Sequence, residues 1–301
     1  MAGKDLFKED FKYYKRKQLR PNLSNVIDFD NDHQKDLVLL NKPFSDLFDK
    51  SACELCAKLG LRDHTTWEQY IIKDISGFIF LKNPFLITGQ KMWIQRCLQI
   101  YPRKPSITNL DLHYKNIDDI WSMRNNEKTN YLSKLCWVTL GYHHNWDTKV
   151  YDPNHKSDFP PCLKELSQHI AFCLGFNTYE PEAAILNFYN LKSSLGIHND
   201  HSEDDYDAPI LTFSFGQTGV FLIGTQNKAD KPLAMFLKSG DVIVMSGLCR
   251  LAYHAVPRII LEDTSCRYDE SEADEMCSSI REYMKKARIN ISVRQVYKAK
   301  Q

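Results

Sequence analysis

The sequence predicts an α+β protein with a double-stranded β-helix, or jelly roll, at its core and helices flanking it. Two patterns carry that expectation. From Ala183 onward, short runs rich in β-branched and aromatic residues follow one another: Ala183 to Phe188, Ile210 to Phe215, Val220 to Ile223, Leu233 to Leu237, Val242 to Met245 and Arg288 to Val293. Gly196, Gly216, Gly219, Gly224, Gly240 and Gly247 punctuate them, as expected of short strands turning back between two packed sheets.

Earlier in the chain the texture differs. Phe7, Phe11 and Tyr14 recur at helical spacing between Lys4 and Arg20, and Lys12, Lys15, Arg16, Lys17 and Arg20 give that segment a basic face. The face reads either as a contact to nucleic acid phosphates or as an ordinary solvated surface. Pro21 should stop the helix, and the polar stretch to Asp49 reads as a connection. Gly77 to Leu81 is a short strand closed by Asn83-Pro84, and Thr88 to Ile100 has helical periodicity. Leu135 to Leu140 is strand-like, and Pro160 to Leu174 is a helix. Between residues 261 and 281 the chain turns acidic, as an insertion at the rim of the barrel would, and a helix over roughly Glu275 to Lys286 leads into the last strand. The domain limits follow: a helical, basic extension over 1–76, a mixed α/β segment over 77–180 and the jelly roll over 181–301.

A length of 301 residues with 43% hydrophobic content can bury a sizeable core. Lys+Arg number 39 against 38 Asp+Glu, so attraction to phosphate must come from local patches. No apolar run approaches the roughly 20 residues that span a bilayer, and the first residues lack the apolar stretch of a secretory signal. An intracellular setting is expected, with mitochondrion, nucleus and cytoplasm left open, as is the oligomeric state. The nine cysteines are mostly single and in apolar contexts, which fits reduced thiols. Cys53-Glu-Leu-Cys56 has zinc-ligand spacing, but no second pair follows nearby, so buried thiols on one helical turn are the expectation.

The chemistry-bearing residues begin at His198-Asn-Asp200. On a strand, residues two apart point to one face with Cα atoms about 6 to 7 Å apart, so the imidazole and carboxylate could chelate one ion. His254, after the turn at Ser246-Gly247, offers a second imidazole. Two histidines and one carboxylate form the facial set that leaves three positions open on Fe(II). The competing reading is a core histidine at 254 and a surface one at 198. A further pattern bears on the choice. In Arg288-Ile-Asn-Ile-Ser-Val-Arg294, Arg288, Asn290, Ser292 and Arg294 share one face. If that face looks into the barrel, two buried guanidinium groups need anions. Their Cα atoms would stand about 20 Å apart, a gap that the two side chains and a five-carbon dicarboxylate, 2-oxoglutarate, could fill with paired hydrogen bonds. Asn187 and Tyr189 share a face on a neighbouring run and offer further donors.

In these elements the sequence resembles the AlkB family of Fe(II)/2-oxoglutarate dioxygenases, whose pattern is Asn-x-Tyr, His-x-Asp, a distant His and Arg-x-Asn-x-(Ser/Thr)-x-Arg. Here the elements are Asn187-Phe-Tyr189, His198-Asn-Asp200, His254 and Arg288 to Arg294, in that order. The likeness is dense from about Leu135 to Val296 and thinner back to Gly77. It implies that His198, Asp200 and His254 hold the iron. Asn187, Tyr189, Arg288, Asn290, Ser292 and Arg294 would hold 2-oxoglutarate, with dioxygen as the third reactant. The resemblance also implies an N-terminal nucleotide-recognition lid within 77–180 ahead of the catalytic core. The activity implied is oxidation of a methyl group on a flipped-out base, in tRNA more than in DNA. By the same analogy Trp137, Tyr142 and Tyr151 are candidates to stack on or bond to the base. Where bacterial-type relatives carry an acidic residue two positions after the metal carboxylate, this chain has Ser202, followed by Glu203, and both are candidate substrate contacts. Two other functions share these residues: a demethylase or hydroxylase of methyl-lysine in a protein, and a non-catalytic reader of modified RNA.

Overall fold

The computed structural model describes residues 4–30, 38–41, 50–115, 117–125, 129–262 and 278–298. Most of the acidic insertion and the first residues of the helix expected from Glu275 lie outside them. So does the side chain of Cys53.

Six helices are described: α1 (Leu6–Lys15), α2 (Lys50–Lys58), α3 (Ile87–Gln95), α4 (Tyr131–Lys134), α5 (Pro161–Cys173) and α6 (Ser278–Met284). The strands before the catalytic core are β1 (Val38–Asn41), β2 (Glu68–Ile72), β3 (Phe78–Lys82), β4 (Ile107–Thr108), β5 (Trp137–Asn145) and β6 (Val150–Lys156). Those that follow are β7 (Ala183–Asn190), β8 (Leu195–His198), β9 (Ile210–Gly216), β10 (Thr218–Ile223), β11 (Leu233–Leu237), β12 (Val242–Met245), β13 (His254–Ile260) and β14 (Ala287–Arg294). The helix expected to reach Arg20 ends at Lys15, where Arg16 turns extended. Arg258 then donates from its guanidinium to the carbonyls of Tyr14 and Arg16.

Two antiparallel sheets face each other. The larger has the order β1-β2-β3-β12-β9-β14-β7-β5-β4, with β6 paired to β5, and the smaller is β11-β10-β13-β8. Alternation along each strand sorts the apolar side chains into layers. Ile289, Ile291 and Val293 of β14 join Leu186, Phe213 and Phe215 beneath α3 and α5, where Trp93, Ile94, Leu166 and Ile170 complete the largest core. A second cluster, including Phe78, Phe80, Phe221, Met235 and Met245, fills part of the space between the sheets. A third seals α1 against the outer face of the smaller sheet, with Phe7 and Tyr14 on Val220, Leu222 and Ala255. Residues 38–41 and 68–72, expected within a connection or unassigned, are strands that extend the large sheet through β3.

One backbone approach fixes α3. A Cβ on Gly89 would lie 1.9 Å from the carbonyl oxygen of Gly60, itself at φ +71°, so only glycine fits on the helix side.

Candidate active site and metal centre

The polar face of β14 does look inward. Arg288, Asn290, Ser292 and Arg294 line a cavity of about 350 Å³ between the sheets, together with Asn187, Thr212, Phe221, His198, Asp200 and His254. The alternative of a solvated polar face is thereby excluded: Arg288 is 1% exposed and Arg294 4%.

Register builds the histidine pair. β13 runs beside β8 with His254 directly opposite His198, and the two rings lie 4.2 Å apart between centroids. Each Nδ1 donates to a carbonyl two residues back, His198 to Gly196 at 2.9 Å and His254 to Ala252 at 3.1 Å. A carbonyl can only accept, so a hydrogen sits on each Nδ1, and in the neutral ring Nε2 then carries the lone pair that a cation would take. Asp200 follows the end of β8 and puts Oδ2 3.8 Å from His254 Nε2. One ligand atom from each of the three lies within 4.8 Å of the others, and among the described residues no other His, Cys, Asp or Glu group of three does so.

The protonation states suit a metal. Burial, with His198 alongside, lowers His254 to about 4, so it is neutral near pH 7. Burial alone would raise the Asp200 carboxyl, but the Arg294 guanidinium, the two imidazoles and Arg250 outweigh it and hold the group well below the usual carboxylate range. Two imidazoles and a fixed carboxylate are the donor set that Fe(II) takes on one face.

The two arginines of β14 do not play equal parts. Arg294 Nη1 donates to Glu203 Oε1 at 2.9 Å and lies 3.4 Å from Asp200 Oδ1, so it already has anions. Among the described residues Arg288 donates only to neutral groups: the carbonyls of Gln217 and Leu237 at 3.2 and 2.9 Å, and Ser214 Oγ at 2.8 Å. Its Nε has no partner among the described residues, nor have Asn290 Oδ1 and the Tyr189 hydroxyl. Burial lowers Arg288 to about 10, with Tyr189 and Asp241 opposing the shift, so it remains a cation. A guanidinium sealed from water without a paired carboxylate is an anion site. The donors therefore fit a dicarboxylate that meets Arg288 at one end and the metal at the other. The symmetric clamp expected from spacing asks for two open guanidiniums, and Arg294 already meets Glu203 and Asp200. Tyr189 sits opposite Arg288 in the β7 register but is absent from the cavity lining. Burial pushes its hydroxyl up to about 12, with Arg288 opposing.

The proposed substrate contacts fare differently. Trp137 packs against Trp146 at 5.1 Å, Tyr142 against Tyr297 at 5.0 Å, and neither lines the cavity. Tyr151 is buried beside His144, and its hydroxyl has no partner among the described residues. Ser202 does line the cavity and meets His144 Nε2 at 3.0 Å. The Glu203 side chain is fully enclosed between Arg250 and Arg294, so it offers nothing to a substrate. The cavity-lining residues of the β5–β6 hairpin are His144, Trp146 and Lys149, with the Lys149 ammonium 5.7 Å from the Trp146 ring centre. His144 lies two residues from Tyr142, but the register of β5 against β6 shifts between them, so period-two alternation from Tyr142 could not have found it. Lys12, Lys15, Arg16, Lys17 and Arg20 are all exposed, and α1 is separated from the cavity by the smaller sheet. Cys56 is buried 3.1 Å from His169 Nε2.

Comparison with known proteins adds the family. The profile of the 2OG-Fe(II) oxygenase superfamily matches residues 77–294. The chain is 37% identical over 337 residues to "Nucleic acid dioxygenase ALKBH1" of Homo sapiens, covering 98% of this chain and 84% of that protein. It is 30% identical over 267 residues to "DNA N(6)-methyladenine demethylase ALKBH1A" of Arabidopsis thaliana, covering 76% of this chain and 77% of that one. Over 133 residues, 44% of each chain, it is 42% identical to "tRNA demethylase abh1" of Schizosaccharomyces pombe. The match runs through the segment that supplies both histidines, the aspartate and the inward-facing arginines, and the chain belongs to the 2OG-Fe(II) oxygenase superfamily, among its AlkB-like members, whose chemistry uses Fe(II), 2-oxoglutarate and dioxygen.

Proposed function

We propose that the chain oxidatively demethylates or hydroxylates methylated bases in nucleic acid, with tRNA the first substrate to test and DNA the second. The observation that carries the reading is a facial His/Asp/His set sharing one cavity with an unpaired buried arginine. The relatives named above supply the substrate class: their names speak of nucleic acid, tRNA and DNA.

In this reading His198, Asp200 and His254 hold the ferrous ion, and Arg288 binds the far carboxylate of 2-oxoglutarate, with Asn187, Asn290 and Ser292 lining the space between. Bound iron supplies the redox chemistry by which dioxygen oxidises the methyl group while 2-oxoglutarate is converted to succinate and carbon dioxide. The protein's own part is placement and exclusion of water. A base turned out of its stack would enter beside Trp146, a residue 38% exposed, and Lys149 beside it offers a cation to the backbone phosphate. The exposed basic residues 12–20 would reach phosphates farther along the strand, a contact that should weaken steeply with salt. Residues 77–180, which contribute the β5–β6 hairpin, are in this reading the nucleotide-recognition lid.

The test is nucleoside mass spectrometry of bulk tRNA and DNA after incubation with protein, Fe(II), ascorbate and 2-oxoglutarate. Loss or oxidation of a methylated nucleoside, absent with His198→Ala, is the expected result. Succinate formation without any nucleoside change would turn the reading toward a protein methyl-lysine substrate, and no turnover of 2-oxoglutarate at all would leave only a reader of modified RNA.

A further inference from the structure

Next to the metal set lies a buried charge network, two of whose members, Glu203 and Arg250, lie outside the pattern of the family motif. Arg250, in the 3-10 turn Gly247–Leu251 that leads into His254, is 1% exposed. Its guanidinium uses all three nitrogens: Nη1 donates to the carbonyl of Asp200 at 2.8 Å, Nε to that of Ala208 at 3.1 Å, and Nη2 to Glu203 Oε2 at 2.9 Å. The other carboxylate oxygen of Glu203 accepts from Arg294 Nη1 at 2.9 Å, and the same nitrogen lies 3.4 Å from Asp200 Oδ1. Arg250 therefore ties the turn that carries Asp200 to the turn that precedes His254. Glu203, bridging two guanidiniums, places Arg294 on Oδ1 and leaves Oδ2 turned toward His254 at 3.8 Å.

Formal charges close on themselves: Asp200 and Glu203 against Arg250 and Arg294. A buried network of this kind is rarely more stabilising than apolar side chains of equal volume, because desolvation offsets the attraction. Its yield is geometric. Charged partners with several fixed hydrogen bonds hold one arrangement where apolar packing tolerates many.

We propose that Glu203 and Arg250 are positioning residues for the metal: Arg250 fixes the main chain at Asp200, and Glu203 holds Arg294 so that it engages one carboxylate oxygen and leaves the other for the ion. The proposal rests on the reading of His198, Asp200 and His254 as the metal site. Without Glu203, Arg294 has only Asp200 as an anionic partner among the described residues and would compete with the cation for it. Losing a group that orients a metal ligand typically weakens metal binding by about 10- to 100-fold.

The experiment is anaerobic titration of the full chain with Mn(II) as the probe, followed by calorimetry, with thermal unfolding measured alongside. Glu203→Gln keeps the shape and removes the charge. It should weaken Mn(II) binding by about 10- to 100-fold. Leu166→Ala, a cavity in the α5 core remote from the network, should lower Tm but leave Mn(II) affinity within about twofold of the parent. If Glu203→Gln fails to fold, Arg250→Lys, which keeps the charge but cannot bond Asp200, Ala208 and Glu203 together, should give the same loss. Binding within about twofold of the parent by a folded Glu203→Gln or Arg250→Lys overturns the proposal, since losing a group that orients a metal ligand costs more. A parent protein that binds no Mn(II) overturns instead the reading of the triad on which the proposal stands.

Discussion

At the scale of single residues, the decisive feature is the asymmetry of Arg288 and Arg294. Both lie on the inward face of one strand, yet among the described residues only Arg294 meets carboxylates. The spacing of the motif showed that the two share a face; it could not show that Glu203, distant in sequence, takes up one of them. The asymmetry predicts opposite signs for one substitution. Arg288→Gln removes an unpaired buried charge, so without ligands the variant should be as stable as the parent or more so, by scanning calorimetry. With the metal-loaded protein the same change should raise the KM for 2-oxoglutarate at least about 100-fold, since breaking a buried charge pair costs about 3–5 kcal/mol. An unchanged KM would show that the diacid binds elsewhere. Arg250 and Glu203 were illegible as partners because a lone arginine in Leu248-Cys-Arg-Leu-Ala252 and a glutamate in an acidic turn carry no periodic signal.

At the scale of elements, the strands buried on both faces were readable and the edge strands were not. Val242 to Met245 is a continuous apolar run, Ala183 to Phe188 is broken by Asn187 and Ile210 to Phe215 by Thr212 and Ser214, and their predicted limits lie within two residues of β12, β7 and β9. The pair that carries the histidines, β8 and β13, gave little signal. β8 has four residues including Gly196, and β13 is interrupted by Pro257. β6 is exposed along most of its length and contains Pro153, so only its pairing with β5 makes it a strand. The metal triad was legible as residue types, but the cross-strand pairing of His198 with His254 is a tertiary fact. The substrate side was least legible, since an aromatic such as Trp137 or Tyr142 gives the same sequence signal whether it lines a cavity or packs against Trp146 or Tyr297.

At the scale of the molecule, α3 and α5, the large sheet, the small sheet and α1 stack as layers, and the cavity opens between the two sheets. No helix among the described residues is long and apolar enough to cross a membrane. Enclosure at this scale sets the pH response. Burial lowers His143, His144, His169 and His254 to about 4, whereas imidazoles of an unfolded chain titrate near 6.5. Below about 6.5 the unfolded chain binds the extra protons, so their contribution is complete above that pH and is lost as pH falls toward 4. Asp241 acts the other way. Burial raises its carboxyl to about 7, so its contribution is present below the unfolded value of about 3.8 and is lost as pH rises through 7. Four imidazoles should outweigh one carboxyl, and Tm of the metal-free protein should fall between pH 6.5 and 4, more steeply in Asp241→Asn. A Tm that is flat across that range would contradict the enclosure of these groups.

The whole account turns on one chelate assembled from β8, the turn after it, β13 and β14. Anaerobic calorimetric titration of 2-oxoglutarate into the Fe(II)-loaded chain tests it most directly. Saturable binding at one site, dependent on the metal and lost in Asp200→Ala, is the predicted result. Equal binding by the Asp200→Ala variant, or by the parent protein stripped of metal, would contradict it.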